Sequence, residues 1–236
     1  MLVPDTDTAT LGSSPSLRER KKLATRRALQ RFALDLVAER GYSRVTIEDI
    51  AEAADVSPRT FFNYFPSKEA ALVGADPERT ENLRRRLIDE PQDKTPLEAL
   101  RAVMVEEVRL LSEELTELGG EPADWVCRMK LAMVDPQLRA AQAAHMTQIE
   151  RAVIAGLSER LGTEPGADPY PVLLASVAIG LMRAVISIWA SHGEAVALDA
   201  LTDSAFVALA HGLPQDWGLK YEARHHGHAN EKDSSK

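Results

Sequence analysis

The stretch that most constrains the fold of this chain is residues 45–68, which read VTIEDIAEAADVSPRTFFNYFPSK. Its first half predicts a short helix. Thr46 is a candidate N-cap, and Asp49 three residues later would complete a capping box. Apolar residues then recur at helical spacing along one face, which indicates a helix packed on a core: Ile47, Ile50, Ala51 and Ala54.

The second half of the stretch predicts another short helix after a brief turn. Ser57 before Pro58 is a start signal, because serine caps helices well and proline at the first helical position lacks only an amide that has no partner there. The helix is predicted to run over residues 59–65 and to stop before Pro66. Two short helices joined by a tight turn, with polar residues on the second, predict a helix-turn-helix whose second helix enters the DNA major groove.

The sequence of this stretch and its flanks, roughly residues 17–75, resembles the tetracycline-repressor (TetR) family of bacterial regulators. The segment SPRTFFNYFPSKEAAL is similar to the recognition helix of the family and the helix start that follows it. Phe62 departs from the pattern, because the family usually has a tyrosine there whose hydroxyl contacts a phosphate. The other matching positions are Glu39, Arg40, Gly41, Tyr42, Thr46, Ile50, Ala51, Val56, Ser57, Thr60, Phe65, Pro66 and Lys68.

The resemblance implies how the polar residues divide between bases and phosphates. Arginine can form a fork on guanine, asparagine can do so on adenine, and a threonine methyl can contact thymine. The residues expected at base edges are Arg59, Thr60 and Asn63. The residues expected at phosphates are Arg44, Thr46, Ser57, Tyr64 and Lys68.

The charge of the chain is divided unevenly, which removes an objection to a DNA partner. The whole chain has a formal net charge of −8. Residues 17–68 nevertheless contain 11 Lys and Arg against 7 Asp and Glu, a net charge of +4. A basic head on an acidic body orients a protein on DNA. The first predicted helix begins with basic residues that suit phosphates: Arg18, Arg20, Lys21, Lys22, Arg26 and Arg27.

The remaining chain predicts an all-α protein, because runs with period-2 alternation are absent and apolar residues recur at helical spacing. Further helices are expected at 97–118, 122–133, 136–161, 169–191 and 195–211. The predicted domains are a disordered tail at 1–16, a DNA-binding head at 17–76 with its motif at about 46–65, a helical effector-binding and dimerisation body at 77–213, and a flexible tail at 214–236.

Residues 171–190 are apolar enough to span a bilayer, with Arg183 as their one charge. We interpret them as a helix packed in a core and against a second subunit, because a mid-span charge is expensive in a membrane. The last two helices are therefore expected to form a four-helix bundle in a homodimer. Small residues expected to permit close approach there are Ala175, Ala178, Gly180 and Ala184.

The body is predicted to bind a large, mainly apolar effector. The sequence of the predicted recognition helix resembles that of actinobacterial, mycofactocin-regulator-like members of the family, which sense ligands similar to acyl-coenzyme A. Adaptable or bulky side chains fall in the central helices, although core packing explains any one of them equally well. The candidate ligand-binding residues are Met104, Trp125, Met129, Met133, Met146, Met182 and Trp189.

Other function classes find no support in the sequence. No Ser/His/Asp or Cys/His set, phosphate loop or HExxH motif occurs, so no catalytic residue and no cofactor are predicted. The single Cys127 excludes an intrachain disulfide and a cysteine-based zinc site. His225, His226 and His228 form a histidine-rich tract for which adventitious metal binding is the better interpretation. The polar, acidic N-terminus is no signal peptide, so a cytoplasmic location is expected.

The sequence therefore predicts a ligand-responsive transcriptional regulator, most simply a repressor, that binds palindromic operator DNA as a homodimer. Two alternatives stay open. The first is a helical ligand-binding or carrier protein without DNA-binding function, which would lack salt-dependent affinity for DNA. The second is a nucleoid-type DNA protein without an effector, which would bind DNA irrespective of sequence.

Overall fold

The structure, a computed structural model, describes residues 17–117, 134–164, 166–192, 197–215 and 217. These residues form nine helices and no strand, which confirms the all-α prediction. The helix expected at 122–133 lies outside the described residues, as do both predicted tails apart from residues 214, 215 and 217. The helices are α1 (Leu17–Arg40), α2 (Ile47–Ala53), α3 (Pro58–Phe62), α4 (Lys68–Leu72), α5 (Pro77–Asp89), α6 (Pro96–Glu117), α7 (Pro136–Leu161), α8 (Pro169–His192) and α9 (Leu198–Ala210).

The described residues divide into two compact units, those up to residue 71 and those from residue 72 onward, which we call the head and the body. In the head, α1 places Leu29, Ala33 and Val37 in the core on one helical face. Gly41 ends α1 at φ 81°, a conformation that glycine adopts at little cost. A 3₁₀ turn at Tyr42–Arg44 then leads into α2.

The core of the body begins where α5 packs against α7. Gly156 on α7 permits this packing, because a Cβ atom there would lie 3.1 Å from the Arg84 carbonyl oxygen and 3.2 Å from the Leu87 Cβ. Leu87, Val153 and Leu157 are fully buried around this contact. The cluster continues through Leu100 and Val103 of α6, Leu174, Ala175 and Ala178 of α8, and Phe206 of α9.

Arginine side chains bind parts of the body together. The Arg160 guanidinium donates to the carbonyl oxygens of Glu90 and Lys94, so it satisfies backbone acceptors at and beyond the carboxyl end of α5. Arg101 of α6 forms a two-pronged contact with Asp203 of α9 at 2.7 and 2.9 Å.

Helix α8 has two different faces. One face lies in the core of the body and includes Ala175 and Ala178, both fully buried. The expectation that these two alanines lie at a dimer contact is therefore wrong, since they already pack inside their own chain. The opposite face is apolar and exposed, and its residues repeat at the spacing of a coiled-coil seam: Tyr170, Leu173, Val177, Gly180 and Ala184.

Candidate nucleic-acid interface

The capping box at the start of α2 forms as predicted. The Asp49 backbone N–H donates to the Thr46 hydroxyl oxygen at 3.1 Å, and the Thr46 N–H donates to the Asp49 carboxylate at 2.7 Å. The Thr46 hydroxyl also donates to that carboxylate at 2.6 Å. The two bonds that Thr46 donates to the carboxylate lower the pKa of Asp49, and the bond from the hydroxyl contributes most. Thr46 is exposed while its hydroxyl is held in place.

The turn between α2 and α3 depends on Asp55, which adopts a left-handed conformation at φ 53°. The sequence marked this position as a break but did not predict its conformation, although aspartate tolerates that region better than most residues. Ser57 then caps α3, since its hydroxyl accepts the Thr60 N–H at 3.0 Å. The hydroxyls of Ser57 and Thr60 lie 2.9 Å apart in a hydrogen bond, and Pro58 occupies the first turn as predicted.

Two buried aromatic rings anchor α3 on the head. Phe61 and Phe65 are fully buried, and their ring centroids lie 5.8 Å apart. The opposite face presents Arg59, Phe62 and Asn63 to solvent. The buried side of α3 is thus fixed by the core, and the exposed side of α3 is available to contact another molecule.

Helix α3 ends at Phe62, so the predicted end at Phe65 was wrong by three residues. The chain tightens after Phe62, because the N–H groups of Asn63 and Tyr64 bond carbonyls three residues back rather than four. Pro66 has no N–H group with which to continue the helix.

Arg26 of α1 holds the end of this segment. Its guanidinium donates to the Tyr64 carbonyl oxygen at 2.9 Å and lies 4.3 Å above the Phe65 ring. The sequence placed Arg26 among the residues suited to phosphates, and this internal contact was missed. Because 38 residues separate Arg26 from Tyr64, no local pattern could have indicated it.

Lys68 also makes internal contacts that the sequence did not predict. Its ammonium group donates to the carbonyl oxygens of Tyr42 at 2.8 Å and Val45 at 2.7 Å, and lies 3.9 Å from the Tyr42 ring centroid. An ammonium has three N–H groups, so these two bonds leave one for a phosphate. Glu69 beside it accepts the Tyr42 hydroxyl. Burial raises the pKa of Glu69, but hydrogen bonds led by that hydroxyl outweigh burial and lower it overall.

We expect Lys68→Met to lower the free energy of unfolding by about 1–3 kcal/mol, because the Tyr42 and Val45 carbonyls lose their charged donor while the apolar stem is kept. Thermal unfolding without DNA measures this. Lys94→Met is the matched control, since Lys94 forms a partly exposed i,i+4 pair with Glu90 and should change stability by less than about 0.5 kcal/mol. Equal unfolding temperatures for the two variants would show that the Lys68 bonds contribute nothing.

The remaining predicted DNA-binding residues occupy the surface of the head. Arg59, Asn63 and Arg44 are exposed, and Tyr64 is half-buried. Arg44 is the last residue of the 3₁₀ turn before α2. The head thus combines polar side chains held by caps, namely Thr46, Ser57 and Thr60, with exposed groups on and near α3.

The predicted ligand-binding residues of the body are distributed between two core clusters. Met104 and Met182 adjoin the cluster around Leu87 and Phe206, while Trp189 belongs to a second cluster with Val108 and Val185. Met146 on α7 is partly buried. The other three, Trp125, Met129 and Met133, lie outside the described residues.

Arginines 84–86 of α5 form ion pairs with carboxylates. Arg84 pairs with Glu81 and Glu159, Arg85 pairs with Glu81, and Arg86 pairs with Glu107. Over the described ranges, no group of three or more His, Cys, Asp or Glu side chains is placed to hold a metal ion. The histidine tract near the carboxyl end lies outside those ranges.

One helix, Pro169–Trp189, is long and apolar enough to cross a membrane by length and composition. Core helices of globular proteins pass the same test. Its Leu174, Ile179 and Val185 side chains lie in the core of the body. This placement agrees with the interpretation of the segment as a packed helix.

Two families match the sequence, each over a different part of the chain. The family described as bacterial regulatory proteins, tetR family, matches residues 31–73. The family described as MftR C-terminal domain matches residues 94–214, about half of the chain.

Relatives that match most of the chain are also transcriptional regulators. The chain is 32% identical over 222 residues to the HTH-type transcriptional regulator TcmR of Streptomyces glaucescens, covering 90% of this chain and 96% of that protein. It is 28% identical over 197 residues to the putative mycofactocin biosynthesis transcriptional regulator MftR of Mycobacterium tuberculosis, covering 82% and 93%. The fold is similar to that of NalD, the secondary repressor of the MexAB-OprM multidrug efflux pump in Pseudomonas aeruginosa, with a TM-score of 0.51, 22% identity and coverage of 82% and 99%.

Proposed function

The chain belongs to the TetR family of bacterial transcriptional regulators, and from that premise we propose that it is a repressor released from a palindromic operator by a large, mainly apolar effector. The observation that carries the proposal is the construction of α3. Its buried side is fixed by Phe61 and Phe65, its start is capped by Ser57, and its exposed side presents Arg59 and Asn63. A short rigid helix with such a face suits the major groove.

In this proposal the side chains of the head divide by chemistry. Arg59 and Asn63 carry planar groups that match guanine and adenine edges, so they read bases. Thr60 presents its methyl group to a base, since its hydroxyl is bonded to Ser57. The residues assigned to phosphates are Arg44, Ser57, Tyr64 and the remaining N–H of Lys68. Thr46 joins them when its hydroxyl turns its single hydrogen from the Asp49 carboxylate to a phosphate oxygen. Phosphate contacts fix the register of the head, and base contacts select the sequence.

The exposed apolar face of α8 supports a homodimer as the DNA-binding unit. Tyr170, Leu173 and Val177 are large apolar side chains exposed by 44, 65 and 40% in the single chain. Gly180 and Ala184 continue the same face with small residues that allow close helix approach. Pairing this face with its copy across a two-fold axis buries it and gives one molecule two heads, as a palindromic operator requires.

The body is the proposed effector site. Met104 and Met182 adjoin its main apolar cluster, and methionine adapts to ligands of irregular shape. An acyl chain with an anionic head, such as an acyl-coenzyme A, is the ligand class we propose. The ligand must bind the non-DNA-binding conformation more tightly, because equal affinity for both conformations would shift nothing.

Genome-wide capture of bound DNA tests the DNA half of this proposal. The recovered sequences are expected to share an imperfect palindrome whose half-sites lie about 34 Å apart, or a multiple of that distance. The logarithm of the binding constant should fall linearly with the logarithm of salt concentration. Capture without sequence preference would favour a nucleoid-type protein, and absence of DNA binding would favour a helical carrier protein.

A chain-length series of acyl-coenzyme A species tests the effector half. Added to the protein–operator complex, longer chains are expected to release DNA at lower concentration, by roughly fourfold per buried methylene until the site is filled. Fluorescence anisotropy of labelled operator measures the release. If no chain length released the operator while a compact cationic or aromatic compound did, the body would be a drug-type sensor instead.

A further inference from the structure

Phe62 is an aromatic side chain that the head leaves in solvent. It is 55% exposed, and between residues 41 and 71 it is the one large apolar side chain that is mainly exposed to solvent. Burial of a phenylalanine side chain stabilises a fold by about 1.5–3 kcal/mol, and here much of that gain is not realised. Scattered exposed apolar residues are common, so exposure alone carries no conclusion.

The position of Phe62 on α3 gives its exposure a possible function in DNA recognition. It lies one helical turn after Arg59 and directly before Asn63, so the three side chains form the exposed face of α3. Its ring meets the buried Phe61 ring edge-on, with centroids 5.7 Å apart and an interplanar angle of 88°. Part of the ring is therefore packed against a core residue, and the rest is exposed on the face of α3 that carries Arg59 and Asn63.

The chemistry of the ring narrows what it can contact on DNA. The family that this chain resembles usually has a tyrosine at this position whose hydroxyl contacts a phosphate. A phenyl ring has no hydroxyl, so it cannot donate that hydrogen bond to a phosphate, nor one to a base edge. In the major groove, thymine differs from the other bases by an apolar C5-methyl group, and phenylalanine is among the side chains that contact it. In the proposed function Arg59 and Asn63 read bases through hydrogen bonds, and an apolar group beside them adds a type of readout that they lack.

We propose that Phe62 is a specificity-determining residue whose ring packs against the C5-methyl group of one thymine in each half-site, beside the base pair read by Arg59. This inference rests on the proposed DNA-binding function of α3. It assigns thymine selection to a residue without any polar atom in its side chain.

Replacing thymine by deoxyuridine in the captured operator tests the inference, because this removes the methyl group and keeps every base-pairing group. With the unaltered protein, deoxyuridine at one symmetric pair of positions is expected to weaken binding about fourfold per half-site and about fifteenfold in the palindrome. Phe62→Ala is expected to bind the thymine and deoxyuridine operators equally. Phe62→Leu, which keeps an apolar group, should retain part of the difference.

Leu23→Ala is the matched control, since Leu23 is also exposed and apolar in the head but lies on α1. It should keep the full difference between the two operators. Sequence-specific binding that is insensitive to deoxyuridine at every position would overturn this inference and leave the proposed function intact. Equal loss on both operators in Phe62→Ala, with the unaltered protein also insensitive, would assign the ring to the sugar–phosphate backbone. Absence of sequence-specific binding would overturn both proposals.

Discussion

Replacing Leu173 by glutamate is expected to leave each chain folded while separating the dimer into monomers that bind the operator only weakly. Leu173 is 65% exposed in the single chain, so a carboxylate there remains hydrated in the monomer. In the proposed interface the same carboxylate would be buried without a partner, which costs several kcal/mol, and two-fold symmetry introduces it twice. Sedimentation should show monomers at micromolar concentration. Operator affinity should fall by roughly a thousandfold or more, towards non-specific binding.

Val134→Glu is the matched control for this variant. Val134 is 78% exposed in the body and lies outside α8, so the same chemical change should leave both the dimer and DNA binding intact. Unchanged helical content in both variants separates loss of assembly from loss of folding. A Leu173→Glu protein that sedimented as a dimer and bound the operator normally would show that this face of α8 is not the interface.

The helix starts of the head were predictable from sequence because their causes are local. The Thr46–Asp49 box and the Ser57 cap each join residues three apart, so the residue types and their spacing are enough to predict both contacts. The same applies to the start of α7, where Asp135 caps the helix before Pro136. Local hydrogen-bonding chemistry at these points agrees with the final packing.

Contacts between residues far apart in the chain were not predictable in the same way. A basic run suggested phosphate binding for Arg26, and the family resemblance suggested it for Lys68. Their donors nevertheless reach carbonyls 38 and 23 residues away in sequence. The two alanines assigned to the dimer contact illustrate the same limit. An apolar helix such as α8 shows which residues are apolar, but the neighbouring helices decide which of its faces is internal.

The exposed face of α3 was predictable from sequence only in part. Its polar members, Arg59 and Asn63, were predictable because polar residues on a capped short helix indicate recognition. Phe62 was noted only as a departure from the tyrosine that contacts a phosphate in the family, so no role was assigned to it. Its exposure becomes evident when Phe61 and Phe65 are seen to fill the core beneath α3.

Replacing Arg59 by alanine is expected to cause the largest loss of sequence preference of any single change in the head. Arg59 is exposed on the first turn of α3, and an arginine fork on guanine is worth about 1–3 kcal/mol against the wrong base. A symmetric dimer makes this contact twice, so affinity for the palindrome should fall by about 2–6 kcal/mol, or roughly thirtyfold to more than ten-thousandfold. Binding to operators with every base pair tested at each position measures the loss. Discrimination should relax at one symmetric pair of positions.

Arg85→Ala separates this readout from the effect of removing one positive charge. Arg85 is exposed on α5 of the body and pairs with Glu81, so its loss should leave both the preferred sequence and the operator affinity nearly unchanged. A base contact and a phosphate contact of Arg59 also differ in their signature. Loss of a phosphate contact would weaken binding to all sequences alike and reduce the salt slope by about one unit, with the preferred sequence kept. If Arg59→Ala gave that uniform result, Arg59 would be a backbone contact, and base reading by α3 would fall to Asn63 and its neighbours.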